Sequence, residues 1–174
     1  YALTQENLVF PAFKSRFPER IDDFGGDIFA SIRAKDIIVH HPYETYRVVT
    51  NFIRQAAYDN NVKSIYQTIY RTEANSSVIK ALMEAIENGK QVNLIIEAKA
   101  RFDELANIEF GTRLKEAGAN VIFGIDGYKI HTKILLIERE EQGKTIFYSH
   151  IGTGNYHSIT SKIYTDLSYF TCDN

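Results

Sequence analysis

Residues 127–157 read GYKIHTKILLIEREEQGKTIFYSHIGTGNYH, and this stretch decides the fold. Ile130 to Ile137 and Thr145 to Ile151 are two strand-like runs rich in β-branched and apolar residues, separated only by the charged segment Glu138 to Lys144. So short a link admits an antiparallel hairpin and no other pairing, because a parallel return needs a dozen residues or more. The hairpin carries His131 and Lys133 at its beginning and delivers a Gly152-Thr153-Gly154-Asn155 loop at its end.

The chain before this stretch has a different texture. Asp36-Ile37-Ile38-Val39-His40 is a short strand stopped by Pro42. Glu44 to Tyr58 places Val48, Val49, Phe52, Ile53, Ala56 and Ala57 on one helical face. Val62 to Tyr70 reads as a strand ending at Arg71-Thr72. The next helix is capped by Asn75, Ser76 or Ser77, buries Val78, Ala81, Leu82, Ala85 and Ile86, and stops at Gly89. Gln91 to Glu97 is a strand that passes through Lys99 into Arg101, Asp103 to Ala117 is a helix closed by Gly118, and Asn120 to Phe123 is a strand. This alternation predicts parallel strands joined by right-handed crossovers. With the hairpin and a last strand from Tyr164 to Thr171, the fold class is α/β: a mixed β-sheet flanked by helices on its faces. Residues 1–34, with Phe10-Pro11, Phe17-Pro18 and Gly25-Gly26 but no sustained period, read as an arm or the tail of a preceding domain.

Composition narrows the class. The 174 residues are 44% hydrophobic and 24% charged, enough for one globular domain. A formal charge of −2 gives no global attraction to nucleic acid or anionic membrane, so an anion site must be a local cluster. The single cysteine, Cys172, excludes an internal disulfide and a cysteine-based zinc site, which suits a reducing, cytoplasmic setting. No apolar run approaches the roughly 20 residues of a membrane span. The chain begins at Tyr1 without a methionine and ends just after a strand-like run, and so reads as a piece of something longer.

In an open parallel sheet, ligands bind beyond the carboxyl ends of the strands. Arg71 and Arg101 follow such ends, His131 begins a strand running the other way, and the Gly152 loop ends its partner. On a strand, residues two apart share a face, so His131 and Lys133 are expected to point into one pocket while Ile130, Thr132 and Ile134 face away. An imidazole that titrates near 6.5 is available as a neutral nucleophile at neutral pH. Attack on a terminal phosphoryl group would give a phosphohistidine, with Lys133, Arg71 and Arg101 cancelling oxygen charge and Gly152 and Gly154 leaving backbone N–H groups open to oxygen. Each residue also has a plainer reading: a hydrogen-bonded core histidine, solvated strand-end arginines, a common Gly-Thr-Gly turn. A lysine inside a buried strand is the costliest to explain without an anion. His40 and His41 close a strand end by hydrogen bonding; His150 and His157 flank the loop without being the nucleophile. Tyr164, at the start of the last strand, reads as packing or as a base-stacking surface, and its position favours packing.

Taken together, DIIVHHPYE, QTIYRT, NGKQVNLIIEAKARFDE, GYKIHTKILLI, HIGTGNYH and IYTDLSYFT make the chain resemble the middle catalytic domain of bacterial polyphosphate kinases from about Asp36 to Thr171. That resemblance implies a phospholipase D-like fold and reversible transfer of the ATP γ-phosphate to inorganic polyphosphate. It implies His131 as the phosphorylated histidine, Arg71 and Arg101 in a phosphate and Mg2+ site, and Tyr164 as an ATP contact. Residues 1–35 would end a preceding head domain and residues 36–174 would form one of two halves of the catalytic unit. A homo-oligomeric full-length enzyme without a nucleic-acid partner is expected, cytoplasmic or peripheral at the membrane, with the fragment alone inactive. Against the wider phospholipase D pattern, Glu138 stands at the aspartate position and Thr153 at the serine position, so no role passes to Glu138. The alternatives are a phospholipase D-type phosphodiesterase or nuclease and a non-catalytic polyphosphate-binding module.

Overall fold

The computed structural model describes residues 14–73, 76–100 and 104–173. At its centre the predicted hairpin forms from β5 (Lys133–Glu141) and β6 (Lys144–Gly152). Its turn is shorter than the charged segment suggested. Gln142 and Gly143 alone make it, both at positive φ (50° and 76°), the handedness that matches the twist of the flanking strands. The charged residues before it stay in the ladder because they are paired: Arg139 Nε lies 2.8 Å from Asp59 Oδ2 and its Nη1 2.5 Å from Glu141 Oε1.

The other strands are β1 (Ile37–His41), β2 (Val62–Ile69), β3 (Gln91–Ile96), β4 (Asn120–Phe123) and β7 (Asp166–Thr171). They form one seven-stranded sheet in the order β1-β7-β6-β5-β2-β3-β4. β2, β3 and β4 are parallel neighbours, as the strand–helix alternation predicts. β1 corrects that expectation: it is not beside β2 but at the far edge, antiparallel to β7. A strand–helix–strand pattern dictates the direction of the second strand, and β1 does point the same way as β2. It leaves open how many later strands are inserted between them.

Helices α1 (Glu19–Asp22), α2 (Ile28–Ala34), α3 (Arg47–Tyr58), α4 (Ser77–Glu87) and α5 (Glu104–Glu116) complete the fold. The predicted stripe of α3 is wholly buried. This helix starts three residues later than expected, since the Glu44 carboxylate is engaged by the His40 amide at 3.0 Å. Ser76 is the side chain that caps α4, accepting from the Ile79 amide at 3.1 Å. Gly111 of α5 meets the sheet so closely that a Cβ there would stand 2.6 Å from the Phe123 ring. The helices lie on one face of the sheet, not on both as expected. On the other face Ile38, Tyr66, Ile122, Ile134, Ile151 and Leu167 are exposed, in register across the strands. Among the described residues no helix is long and apolar enough to cross a membrane.

Of the segment expected to be an arm, residues 1–13 lie outside the described residues and the remainder packs into this core. Ile21, Ile28, Phe29 and Ile32 are buried, and the Phe29 ring stands edge-on to Tyr148 at 4.9 Å and tilted against Phe52 at 5.2 Å. A boundary at residues 35/36 is therefore not a break in packing. α2 is only 7 residues long, too short for its stripe to register as a period, and tertiary burial stabilises it. Phe29→Ala is expected to lower stability by about 3–5 kcal/mol, read from urea unfolding. A loss under about 1 kcal/mol would place α2 outside the cooperative unit.

Candidate active site at the strand-end edge

The carboxyl ends of β2, β3 and β6 lie at one edge of the sheet, together with the beginnings of β5 and β7. The Thr68 hydroxyl pins β2 to the start of β5, donating to the Thr132 carbonyl at 2.7 Å and accepting from the Ile134 amide at 3.1 Å. Lys133 pairs with Gly152, and Gly152 with Ser168. Arg71, His131, Lys133 and the Gly152–Asn155 loop thus share the edge expected for them. Arg101 lies outside the described residues.

His131 sits just before β5 and not on it, exposed to solvent. Simple strand alternation therefore does not apply here. Ile130, expected to face away, is buried and anchors the segment. The predicted meeting of His131 and Lys133 occurs nonetheless. Lys133 Nζ lies 3.2 Å from both ring nitrogens of His131 and donates to its carbonyl at 2.6 Å. The Tyr70 ring meets the imidazole edge-on at 4.9 Å, and Lys133 Nζ stands 5.6 Å from its centroid. Lys133 is only 5% exposed. Burial lowers its pKa from the ordinary lysine value, while the negative charge of Asp166 pulls the other way. A lysine so placed is a short, desolvated cation beside an accessible imidazole, the electrostatics an incoming phosphoryl group requires.

Asp166 is a site residue that sequence reasoning missed. Its Oδ1 accepts from the Thr153 hydroxyl at 2.7 Å, and that hydroxyl accepts from the Leu167 amide at 3.0 Å. A Cβ on Gly154 would fall on the Asp166 carboxylate, and one on Gly152 would stand 3.1 Å from His150 Cε1. A side chain at Gly154 would thus force Asp166 to move, and one at Gly152 would press on His150; neither glycine has a positive φ. The Thr153 amide is itself spent on the Leu167 carbonyl at 3.0 Å. Asn155 Oδ1 is buried without a hydrogen-bond partner among the described residues. Glu73 ties the segment after the loop back to the end of β2. It accepts from the Ser158 hydroxyl at 2.8 Å and the Ile159 amide at 3.2 Å, and lies 3.1 Å from His157 Nδ1. Burial opposes its charge, yet those hydrogen bonds hold its carboxyl below the usual range. Tyr164 precedes β7, outside the strand expected to contain it, and is 62% exposed. Packing does not account for it. Glu138 lies well along β5 opposite Phe147, far from the edge.

His150 and His41 are core groups. The Glu44 carbonyl can only accept, so His41 Nδ1 donates to it at 3.0 Å and His41 Nε2 accepts from the Ser168 hydroxyl at 2.9 Å. Ser168 then accepts from His150 Nε2 at 2.9 Å, and His150 Nδ1 accepts from the Tyr156 hydroxyl at 2.9 Å. Both imidazoles are neutral in this chain of bonds, and neither has a nitrogen left for nucleophilic work. Burial pushes His150 down to about 3 and lowers His41 as well. An unfolded chain takes up these protons near pH 6.5 whereas the native fold refuses them. Stability is therefore full above about pH 6.5 and falls with acidification. For His150 alone the loss between pH 6.5 and 5 is about 2 kcal/mol. Urea midpoints across that window, above the carboxylate range, should fall less steeply in His150→Gln than in the parent. An unchanged slope would show that His150 is not its source.

The arrangement has relatives. The family described as polyphosphate kinase C-terminal domain 1 matches residues 27–174. A polyphosphate kinase of Erythrobacter litoralis (strain HTCC2594) is 51% identical over 167 residues, covering 96% of this chain and 23% of that protein. One from Bacillus anthracis is 45% identical over 168 residues, 95% of this chain and 24% of that protein. The crystal structure of polyphosphate kinase from Porphyromonas gingivalis superposes with a TM-score of 0.82 at 31% identity, over 96% of this chain and 28% of that one. Nuc of Salmonella typhimurium, a phospholipase D family member, superposes at 0.61 over 80% of this chain and 83% of its own, and at 16% identity shows the shared fold alone. The chain spans about a quarter of the length of the curated relatives it matches. With family, fold and edge in agreement, the chain belongs to the polyphosphate kinase C-terminal domain 1 family.

Proposed function

We propose that this chain is the phosphohistidine-bearing domain of a polyphosphate kinase that moves the ATP γ-phosphate reversibly to inorganic polyphosphate. The observation that carries the reading is the exposed His131 imidazole with the buried Lys133 ammonium 3.2 Å from its ring nitrogens. An unprotonated ring nitrogen of His131 forms a bond to the γ-phosphorus as the bond from that phosphorus to the bridging oxygen breaks. ADP leaves with the electron pair. A terminal oxygen of the polyphosphate chain then attacks the same phosphorus, and the P–N electron pair returns to the imidazole. Each step is symmetric in kind with its reverse, which suits a reversible enzyme.

Lys133 and Arg71 balance charge on the transferred group's oxygens, as does Arg101 by family resemblance; a guanidinium at such a position can be worth about 10³-fold in rate. Asn155 contributes to the same cradle. The exposed Tyr164 ring is offered to the nucleotide. Mg2+ is expected from the family, held in the usual way by substrate phosphates and water with at most one or two carboxylates. Arginine has no lone pair for a cation, and the described residues contain no group of three His, Cys, Asp or Glu side chains that could hold one. Arg71 and Arg101 fit the phosphate part of that assignment only, and no step above depends on the metal. The exposure of His131 supports a site completed by other parts of a longer, homo-oligomeric protein, and this chain alone is expected not to turn over.

In the full-length protein, γ-labelled ATP should leave an acid-labile label that maps to His131 and vanishes in His131→Ala. Arg71→Gln should slow labelling by about 10²–10³-fold. Label on another histidine, or undiminished labelling of His131→Ala, would overturn the assignment.

A further inference from the structure

Glu97 follows the last residue of β3, closing an apolar strand with a carboxylate only 3% exposed. A buried carboxylate is costly unless its oxygens are satisfied, so its partners show what holds it there. Oε1 accepts from the Lys99 amide and Oε2 from the Ile130 amide, each at 2.9 Å, and the Lys129 ammonium stands 3.7 Å from Oε1. Ile130 is the residue before His131. The backbone of Glu97 is engaged as well: its amide donates to the Ile69 carbonyl at 2.9 Å, and its carbonyl accepts from Asn107 Nδ2 at 2.9 Å. Asn107, fully buried in α5, sends the same nitrogen to the Tyr70 carbonyl at 2.9 Å. Tyr70 precedes Arg71, and its ring is the one against His131. One carboxylate and one amide therefore clasp three segments: the end of β2, the end of β3, and the backbone entering His131.

We infer that Glu97, supported by Asn107, is a positioning residue for phosphoryl transfer, fixing where the His131 imidazole stands relative to the Arg71 segment. This rests on the reading of His131 as the nucleophile. His131 lies outside the β5 ladder, so strand pairing does not hold its backbone. What does hold it is a charge-assisted hydrogen bond on the preceding amide, a burial of Ile130, and Lys133 on its carbonyl. Glu97 is buried, with both carboxylate oxygens spent on backbone amides. Its influence passes through backbone, where a displacement of about 1 Å can cost about 10²-fold in rate.

Glu97→Gln separates positioning from bulk structure. The side chains match in volume, but the amide offers one acceptor oxygen where two backbone donors wait, so one bond is replaced by opposed N–H groups. In the full-length protein, single-turnover labelling with γ-labelled ATP should slow about 10²-fold at saturating ATP, with the half-saturating concentration little changed. Hydrogen exchange at the Ile130 or Lys99 amide should quicken while that of the β5 ladder stays protected. If Glu97→Gln does not accumulate as folded protein, Glu97→Asp takes its place, retaining the charge but withdrawing it by one methylene, with the same split expected. Labelling at the parental rate, or a loss that appears only in the half-saturating ATP concentration, would overturn the inference. His131→Ala is run alongside. Label retained there would overturn the parent reading and this inference with it, whereas parental labelling of Glu97→Gln with His131→Ala silent overturns the inference alone.

Discussion

The antiparallel pairing of β5 with β2 is the contact on which the rest of the structure depends. Parallel strands bring their carboxyl ends to one edge, and a strand laid antiparallel beside them brings its beginning to the same place. The hairpin then returns the end of β6 there, and the antiparallel β7 adds its own beginning. Five strand termini meet without any long loop reaching across the molecule. Register matters as much as direction. A slip of one residue would turn Lys133 from the helix-covered face to the open one and separate it from His131. Thr68, bonded to backbone on both sides of Lys133, opposes that slip.

The same edge handles polar groups in two opposite ways. His41, Ser168, His150 and Tyr156 form a buried series in which every partner is neutral and every bond has a single allowed direction. Its members are core, and they charge only at the expense of the fold. Lys133 and Glu97 are equally buried but carry charge, each held by backbone groups of the segments that build the site. The neutral series supports the floor of the edge, while Lys133 and Glu97 fix the backbone on either side of His131.

Much of the site was legible in the chain. The hairpin followed from the shortness of its link, and the meeting of Arg71, His131, Lys133 and the Gly152 loop followed from strand direction. What escaped at the site was of one kind. Asp166, Glu97, Glu73 and Asn107 act through contacts distant in sequence, and each sits where a polar residue beside a strand or helix is unremarkable. Glu97 carried the clearest signal, a carboxylate closing an apolar strand in QVNLIIE, yet such a residue is as often solvated. The arm escaped too, because a 7-residue helix derives its stability from the surface it covers.

The sequence by itself determined the α/β class, the hairpin, the parallel run of β2 to β4, and the edge where the candidate site residues meet. Those depend on period, link length and strand direction, which are local properties of the chain. Only the tertiary structure decided that β1 lies beside β7, that the helices share one face, and that His131 stands off the strand under the hold of Glu97 and Lys133. These depend on which distant surfaces bury one another and on which buried charges find partners, and no local pattern encodes either.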